Sequence, residues 1–264
     1  MSESSAAVGT LAWAQQRQGR LTPRQAVQYA AAQTRAQILC WTSSRRPPAH
    51  PVHEPRHFPA IPADEQALEI VRYSAEVVPA PIFNHSCRVW GWAATWRSAD
   101  NEPVDTQLLL AACLLHDVGL AMASPATGRS CFTVRSAEKA ASVLTRAGFS
   151  AGSVAAVAAA IVGHMNVVPP PGAAPLTKAL HFATNLDVTG IRSHLLPASI
   201  LEEGHKMYPR SGFAGCFSKS FRRELAHVPL TRAGIAYLIG LPLAVRINPI
   251  SGSTSTDPTT MRAS

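Results

Sequence analysis

The side chains best suited to chemistry stand together in one short stretch. An imidazole and a carboxylate, His116 and Asp117, follow directly on the apolar run 108–115, and Gly119 comes two residues later. The apolar run predicts a buried helix, and a carboxylate buried without a partner is costly. A cation would remove that cost, because imidazole nitrogen and carboxylate oxygen are both good ligands for zinc or iron. The alternative is a helix C-terminus that carries the pair by chance, since His-Asp pairs are common.

Three further polar residues are embedded in apolar helical patterns. His85 follows Asn84, which we predict to be the N-cap of a helix, and His164 ends an apolar segment. Asp187 lies on a helical face that is otherwise apolar, so its carboxylate is expected to point into the core. Each residue alone is more typical of a hydrogen-bonded core group than of a ligand. Together with the His-Asp pair they form the kind of set that a metal assembles.

One histidine near this set is predicted to face elsewhere. His181 precedes Asp187 by six residues, which on a helix places it about 120° away from the face of Asp187. We therefore exclude His181 as a ligand.

Composition limits the class of protein. The chain has 264 residues, 47% of them apolar and 15% charged, which predicts a globular core in one large domain or one domain with appendages. The net charge is +8, but the basic residues are scattered without a block of five, so we expect a small-molecule substrate rather than nucleic acid. Association into a homo-oligomer is left open.

Cysteine usage and hydropathy bear on location. The five cysteines are an odd number without metal-clip spacing, which favours a reducing, intracellular compartment. The first 20 residues lack the apolar core of a signal peptide, and the apolar segment 234–250 is interrupted and too short to span a membrane. We expect a soluble cytoplasmic protein.

The pattern along the chain predicts an all-α fold. Residues 1–62 read as an N-terminal extension, in which a polar, frayed start (1–21) and one helix to about residue 41 precede a proline-rich connector. Residues 63–248 are predicted to form a helical domain, and 249–264 a disordered tail. Within the domain, helical periodicity predicts helices that begin near residues 64, 84, 106, 136, 153 and 176. No alternating strand pattern of convincing length is present.

Several local sequences resemble a known family. The chain is similar to the HD-domain metallohydrolase superfamily, and within it to the cyanamide hydratase branch, over roughly residues 65–230. The stretches that carry this resemblance are 83–89, 114–119, 160–164, 183–187 with Gly190, and 208–213 with Cys216 and Phe217. The resemblance implies an HD-domain helical bundle.

The resemblance also implies a site. His85, His116, Asp117 and Asp187 would ligate one divalent metal ion, zinc by preference and Fe²⁺ as an alternative, with a position left open for water. In the hydration of cyanamide to urea, the metal-activated water would attack the nitrile carbon. Three other residues are then assigned roles: His164 would protonate the developing nitrogen, while Asn84 and Arg88 would orient the substrate or the ligands. Arg88 is alternatively an ordinary surface cation.

Two departures from the family leave the substrate open. Thr133 and Asn166 stand where the family tends to carry acidic residues, which implies a changed pocket and admits a nitrile, an isonitrile or another small polar molecule. The main hypothesis is a metal-dependent hydratase of the hydro-lyase class. The alternatives are an HD-type phosphohydrolase acting on a nucleotide or phosphate ester, and a non-catalytic helical protein whose site has decayed.

Overall fold

A computed structural model describes residues 6–43, 57–96, 103–122 and 130–251. The predicted all-α class is confirmed, because the only β pairing among these residues is an isolated bridge between Arg20 and Thr231. The helices, in chain order, are α1 Leu11–Arg17, α2 Pro23–Ser43, α3 Glu65–Val77, α4 Ala80–Thr95, α5 Thr106–Leu115, α6 Val118–Ala121, α7 Phe132–Arg146, α8 Ala151–Gly163, α9 Pro175–Thr189, α10 Ala198–Met207, α11 Phe213–His227, α12 Arg232–Leu238 and α13 Leu241–Arg246.

Helix α5 is the centre of the bundle. Every residue from Leu109 to Leu115 is buried, and α3, α4, α7, α8 and α9 pack around it. The side chain of Asp105 caps the helix by accepting hydrogen bonds from the backbone N–H groups of Gln107 and Leu108. The helix ends at Leu115, one residue before the predicted end at His116, and the buried residue pair that follows forms a turn in the interior.

The turn after α5 is held against α7 by a glycine. The N–H of Gly119 donates to Oγ of Ser136 at 2.9 Å, and a Cβ on Gly119 would collide with the backbone oxygen of Phe132. Only a residue without a side chain allows α6 to approach α7 this closely. The position of the His-Asp pair is thereby fixed from the C-terminal side.

Helix α4 begins earlier than the sequence predicts. The N-cap is Pro79 rather than Asn84, and Pro81 stands in the first turn, where proline's missing N–H costs nothing. Asn84 therefore lies inside the helix, and the prediction that it caps α4 is wrong. The earlier start places His85, Arg88 and Trp92 on one face at helical spacing.

The N-terminal segment contains two helices rather than one. Residues 1–21 were predicted to be frayed, but α1 forms from Leu11, where Oγ1 of Thr10 accepts the N–H of Trp13 at 3.2 Å. Trp13 is buried in the core. The backbone N–H of Leu21 donates to the oxygen of Leu230 at 2.7 Å. These contacts join α1 and α2 to the helices that follow residue 130, with α1 against α8 and α2 against α12.

The remaining predictions for the ends of the chain are only partly covered. Residues 44–56 of the proline-rich connector and 252–264 of the predicted tail lie outside the described residues, and 249–251 form a 3-10 turn. In the described part of the connector, Phe58 is buried and packs edge-on against Trp92. None of the described helices combines the length and the apolar character that crossing a membrane requires. The proposed domain boundaries stay predictions.

Candidate metal centre

Three of the predicted ligands converge at the C-terminal end of α5. Nε2 of His85 lies 3.2 Å from Nε2 of His116 and 3.6 Å from Oδ2 of Asp117, and the last two atoms are 3.3 Å apart. All three side chains are buried, and they form a group in which one atom of each could bind a single ion. His85 comes from the second turn of α4, whereas His116 and Asp117 come from the turn after α5.

The hydrogen bonds behind the two imidazoles determine which nitrogen faces the centre. Nδ1–H of His116 donates to the backbone oxygen of Cys113 at 2.8 Å, and Nδ1–H of His85 donates to Oδ2 of Asp187 at 2.6 Å. Because a carbonyl and a carboxylate oxygen accept and do not donate, both protons are on Nδ1 in the neutral rings. The two Nε2 lone pairs therefore point at one another and at the Asp117 carboxylate.

Such a set of acceptors fits a cation. Two nitrogen lone pairs and a carboxylate oxygen within hydrogen-bonding range repel one another unless a proton or a metal ion lies between them. The pKa values agree with this. Burial lowers the pKa of His116, but the Asp117 carboxylate outweighs burial and raises it above the usual value. Burial raises the pKa of Asp117, but the surrounding histidines outweigh burial and lower it to about 2. The residues thus fit a divalent metal.

Asp187 does not join this group of three. Its carboxylate is on the opposite side of the His85 ring, where Oδ2 accepts from Nδ1. Arg88 donates two hydrogen bonds to the same carboxylate, from Nε to Oδ1 at 2.8 Å and from Nη2 to Oδ2 at 2.9 Å. Nε1 of Trp92 donates to Oδ1 at 3.0 Å, and Nη1 of Arg210 lies 3.1 Å from Oδ2. The carboxylate is thereby held in place behind His85.

The charge balance around Asp187 keeps it ionised. Burial raises the pKa of this fully buried carboxyl, but Arg88 and Arg210 outweigh burial and hold the pKa well below its usual range. Arg88 is itself fully buried, so the alternative that it is a surface cation is wrong. The carboxylate therefore remains a permanent acceptor for Nδ1 of His85, which fixes that ring's orientation.

The loop between α10 and α11 accepts hydrogen bonds from two side chains of α4. Nη1 of Arg88 donates to the backbone oxygen of Tyr208 at 2.7 Å, and Nδ2 of Asn84 donates to that of Pro209 at 3.2 Å. Phe213 stacks on the ring of His85, with 4.9 Å between the ring centroids. Asn84 thus contacts the loop and is not part of the group of three. Its predicted role near the substrate stays a prediction.

The centre opens on a small cavity of about 60 Å³. His164 lies on its wall beside His116, with 5.1 Å between the ring centroids. Nδ1–H of His164 donates to the oxygen of Ile161 at 2.6 Å, which leaves Nε2 as an acceptor, and burial lowers the pKa of this ring to about 3. The rest of the wall is contributed by α2, the segment after α8, α9, α11, α12 and α13: Tyr29, Gln33, Met165, Asn166, Thr184, Asn185, Val188, Thr189, Phe217, Phe221, Ala236 and Leu241.

The two departures from the family fall in different places. Asn166 lines the cavity, whereas Thr133 is fully buried and its hydroxyl donates to Sγ of Cys131. His181 is not in the group of three, and its Nε2–H donates to the backbone oxygen of Asn166 at 2.9 Å.

Several residues at the site were not singled out from the sequence. Arg210 and Phe213 stand in a stretch that carries the family resemblance, which was a usable signal. Tyr29 and Gln33 are spaced one helical turn apart on α2. Nothing local marks them, because the centre they face is more than fifty residues away in the chain.

The fold and the centre define a class. Residues 82–190 match the family model of the HD domain, and this range includes His85, His116, Asp117 and Asp187. The match agrees with the predicted HD-domain superfamily. The chain is also similar to the cyanamide hydratases DDI2 and DDI3 of Saccharomyces cerevisiae. Each is 26% identical over 182 residues, which is 66% of this chain and 79% of the relative. This similarity agrees with the predicted branch.

Proposed function

We propose that the protein is a metal-dependent hydratase that adds water to a small nitrile-type molecule, with cyanamide as the first candidate and urea as its product. The observation that carries the proposal is the convergence of His85, His116 and Asp117 at the wall of a cavity of about 60 Å³. A water molecule takes about 10–15 Å³ on this scale, so the cavity suits a substrate of a few heavy atoms. Cyanamide has three.

The proposed cofactor is one divalent ion, with zinc preferred because two imidazoles and a carboxylate match its ligand chemistry. An ion held by these residues would supply a coordinated water whose pKa is lowered from about 15.7 toward 7. By the resemblance Asp187 is a fourth ligand. The geometry supports a different role, because its carboxylate already accepts from His85, Arg88 and Trp92. Coordination by Asp187 would require it to leave these partners.

The proposed role of His164 follows from its hydrogen bond. Its single proton in the neutral ring is donated to Ile161, so Nε2 is an acceptor and not a donor in that state. We infer that His164 first takes a proton from the attacking water and then returns it to the nitrile nitrogen. The C–O bond forms as one C–N π bond breaks, and transfer of the second water proton to nitrogen completes urea. His164 thus acts as base before it acts as acid.

The proposed roles of Arg88 and Asn84 are positional. Arg88 fixes Asp187, and Asp187 fixes the ring of His85 so that Nε2 faces the centre. Asn84 ties the helix that carries His85 to the loop at Pro209. Neither side chain lines the cavity, so both would act on the reaction through His85.

The alternative functions are less well supported. No described Arg or Lys side chain lines the cavity to receive the phosphate of a nucleotide. A decayed site is disfavoured because both histidines keep the partners that direct Nε2 at the centre. The thiols of Cys87, Cys113, Cys131 and Cys216 are free, which supports our inference of a reducing, cytoplasmic location.

One experiment tests the proposal. The purified protein is analysed for bound metal, and urea release from cyanamide is assayed beside phosphate release from a panel of nucleotides. Urea with bound metal and without phosphate supports the hydratase. Phosphate without urea would favour the phosphohydrolase, and the absence of both metal and turnover would favour the decayed site.

A further inference from the structure

A buried positive charge stands immediately behind the cavity wall. Arg232, the first residue of α12, is fully buried, and none of the carboxylates in the described part of the chain forms an ion pair with it. Its polar contacts are to neutral acceptors: Nη1 donates to Oδ1 of Asn166 at 2.5 Å, and Nη2 donates to the oxygen of Val162 at 2.7 Å. Its Nε–H has no hydrogen-bond partner among the described residues.

The nearest titratable groups do not neutralise this charge. Burial raises the pKa of Tyr29 to about 12, and it also raises the pKa of the Cys131 thiol above its usual value, so both are uncharged near neutral pH. The ring of Trp13 lies 5.3 Å from the guanidinium carbon and offers a π face, which is only a partial substitute for a counter-ion. A buried cation without a counter-ion is costly. It therefore favours an anion in any nearby space that can hold one.

Asn166 connects the guanidinium to that space. Because Nη1 of Arg232 donates to Oδ1, the side-chain amide of Asn166 is oriented with its oxygen toward Arg232 and its NH₂ group away from it. Asn166 lines the cavity together with His164 and the three residues of the candidate metal centre. Among the described residues, its NH₂ group has a single acceptor, the backbone oxygen of Gly9 at 3.5 Å. A charged donor on Oδ1 also strengthens the amide N–H groups as donors.

We propose that the wall at Asn166 is an anion-recognition site, which takes a monovalent anion of three or four heavy atoms or the electron-rich end of the substrate. Arg232 supplies the charge, and the Asn166 amide supplies the hydrogen bond. The cavity limits the size of the ligand. This inference rests on the proposed function only because both concern the same cavity. Anion binding is measured without turnover, so its test does not require the hydratase activity.

The test uses the full-length, metal-loaded protein and two matched variants. Asn166→Asp gives Arg232 a covalent counter-ion with almost no change in shape. Asn185→Asp places the same charge on another part of the cavity wall, where the side-chain amide donates to the oxygen of His181 instead. Metal content is checked for all three proteins. Azide and formate are the anionic probes, acetonitrile is an uncharged control, and binding is followed by the rise in melting temperature at constant ionic strength.

We expect azide and formate to stabilise the wild type and acetonitrile to have little effect. Asn166→Asp should bind the anions at least tenfold more weakly than the wild type, with a smaller loss for Asn185→Asp. Without any anion, Asn166→Asp should melt at a higher temperature than the wild type, and Asn185→Asp at a lower one. Equal anion affinity in the wild type and Asn166→Asp, an equal loss in both variants, or a lower melting temperature for Asn166→Asp would overturn the proposal. Urea release is assayed separately, so failure of the hydratase leaves this result interpretable.

Discussion

The carboxylate of Asp187 lies 2.6 Å from Nδ1 of His85, on the side of the ring opposite to the candidate metal centre. The contact orients the imidazole and assigns its proton, so that Nε2 faces His116 and Asp117. Because Arg88 and Arg210 contact the carboxylate in turn, a series of charged side chains connects the α10–α11 loop to the centre. A partner of this kind behind a metal-binding histidine raises the basicity of the ring and fixes its orientation.

Replacement of Asp187 by Asn tests this relationship. We expect metal affinity to fall about 10–100-fold while one ion per chain still binds at saturating metal, because the three converging side chains are intact. Stability should also fall by about 3–5 kcal/mol, since the buried guanidinium of Arg88 and the half-buried one of Arg210 lose their counter-ion. Metal titration at low temperature measures the affinity, and urea denaturation followed by circular dichroism measures the stability. A folded variant that binds no ion at all would show instead that Asp187 is a direct ligand.

Replacement of His164 by Gln tests the proposed proton transfer. The metal content should be unchanged, because His164 is not in the group of three, whereas kcat for cyanamide hydration should fall by about 10²–10⁴. Steady-state kinetics beside metal analysis gives both quantities. An unchanged kcat would remove His164 from the reaction, and a loss of metal would make it a ligand.

Replacement of Gln33 by Ala tests the contribution of the N-terminal helix α2 to the site. Gln33 lines the cavity, and a lost hydrogen bond to the substrate is worth about 0.5–1.5 kcal/mol. We therefore expect KM to rise about 2–10-fold with little change in melting temperature.

The matched control is Gln37→Ala. It lies one turn further along α2 and borders a different cavity, so its KM should equal that of the wild type. A KM equal to that of the wild type in both variants would show that α2 covers the site without contacting the substrate.

Stability in mild acid should depend on His181. Burial lowers the pKa of this histidine from 6.5 to about 4. The folded state then binds fewer protons than the unfolded state between these values, so its stability is complete above pH 6.5 and declines as the pH falls toward 4. The full effect of one such group is about 3 kcal/mol.

The measurement is urea denaturation of the wild type and His181→Gln at pH 7.5 and pH 5. The variant keeps an N–H that can donate to the oxygen of Asn166 but cannot take up a proton in this range, so it should lose less stability than the wild type between the two pH values. An equal loss in both proteins would contradict the depressed pKa.

The parts of the site that local sequence determines were predictable, and those that depend on distant contacts were not. The apolar run before His116 predicts α5 and its end, because a helix without polar faces can only be buried. The predicted start of α4 is wrong because Asn84 is a residue type that often caps helices and Pro79 is not. Pro81, which is favoured in the first turn of a helix, instead marks the actual start.

Asp187 shows the same limit for function. Its apolar face correctly predicts burial, but the sequence does not reveal that Arg88 and Arg210 would reach its carboxylate from 99 and 23 residues away. The likeness to hydratases predicts a metal ligand at Asp187, whereas its carboxylate contacts His85 and Arg88 in the structure. Its ligation of a metal stays a prediction. Trp13 and Gln33 were missed for the same reason. Arg232 follows Trp13 by more than two hundred residues, and the centre that Gln33 faces begins more than fifty residues later.

Metal analysis of the wild type and of His116→Ala tests the central claim most directly. The account predicts about one divalent ion per purified wild-type chain and urea release from cyanamide. It predicts neither ion nor urea for a folded His116→Ala protein, because one of three converging ligands is gone. Full metal content in that variant would contradict the account, as would an active wild-type protein whose turnover survives complete removal of metal by a chelator.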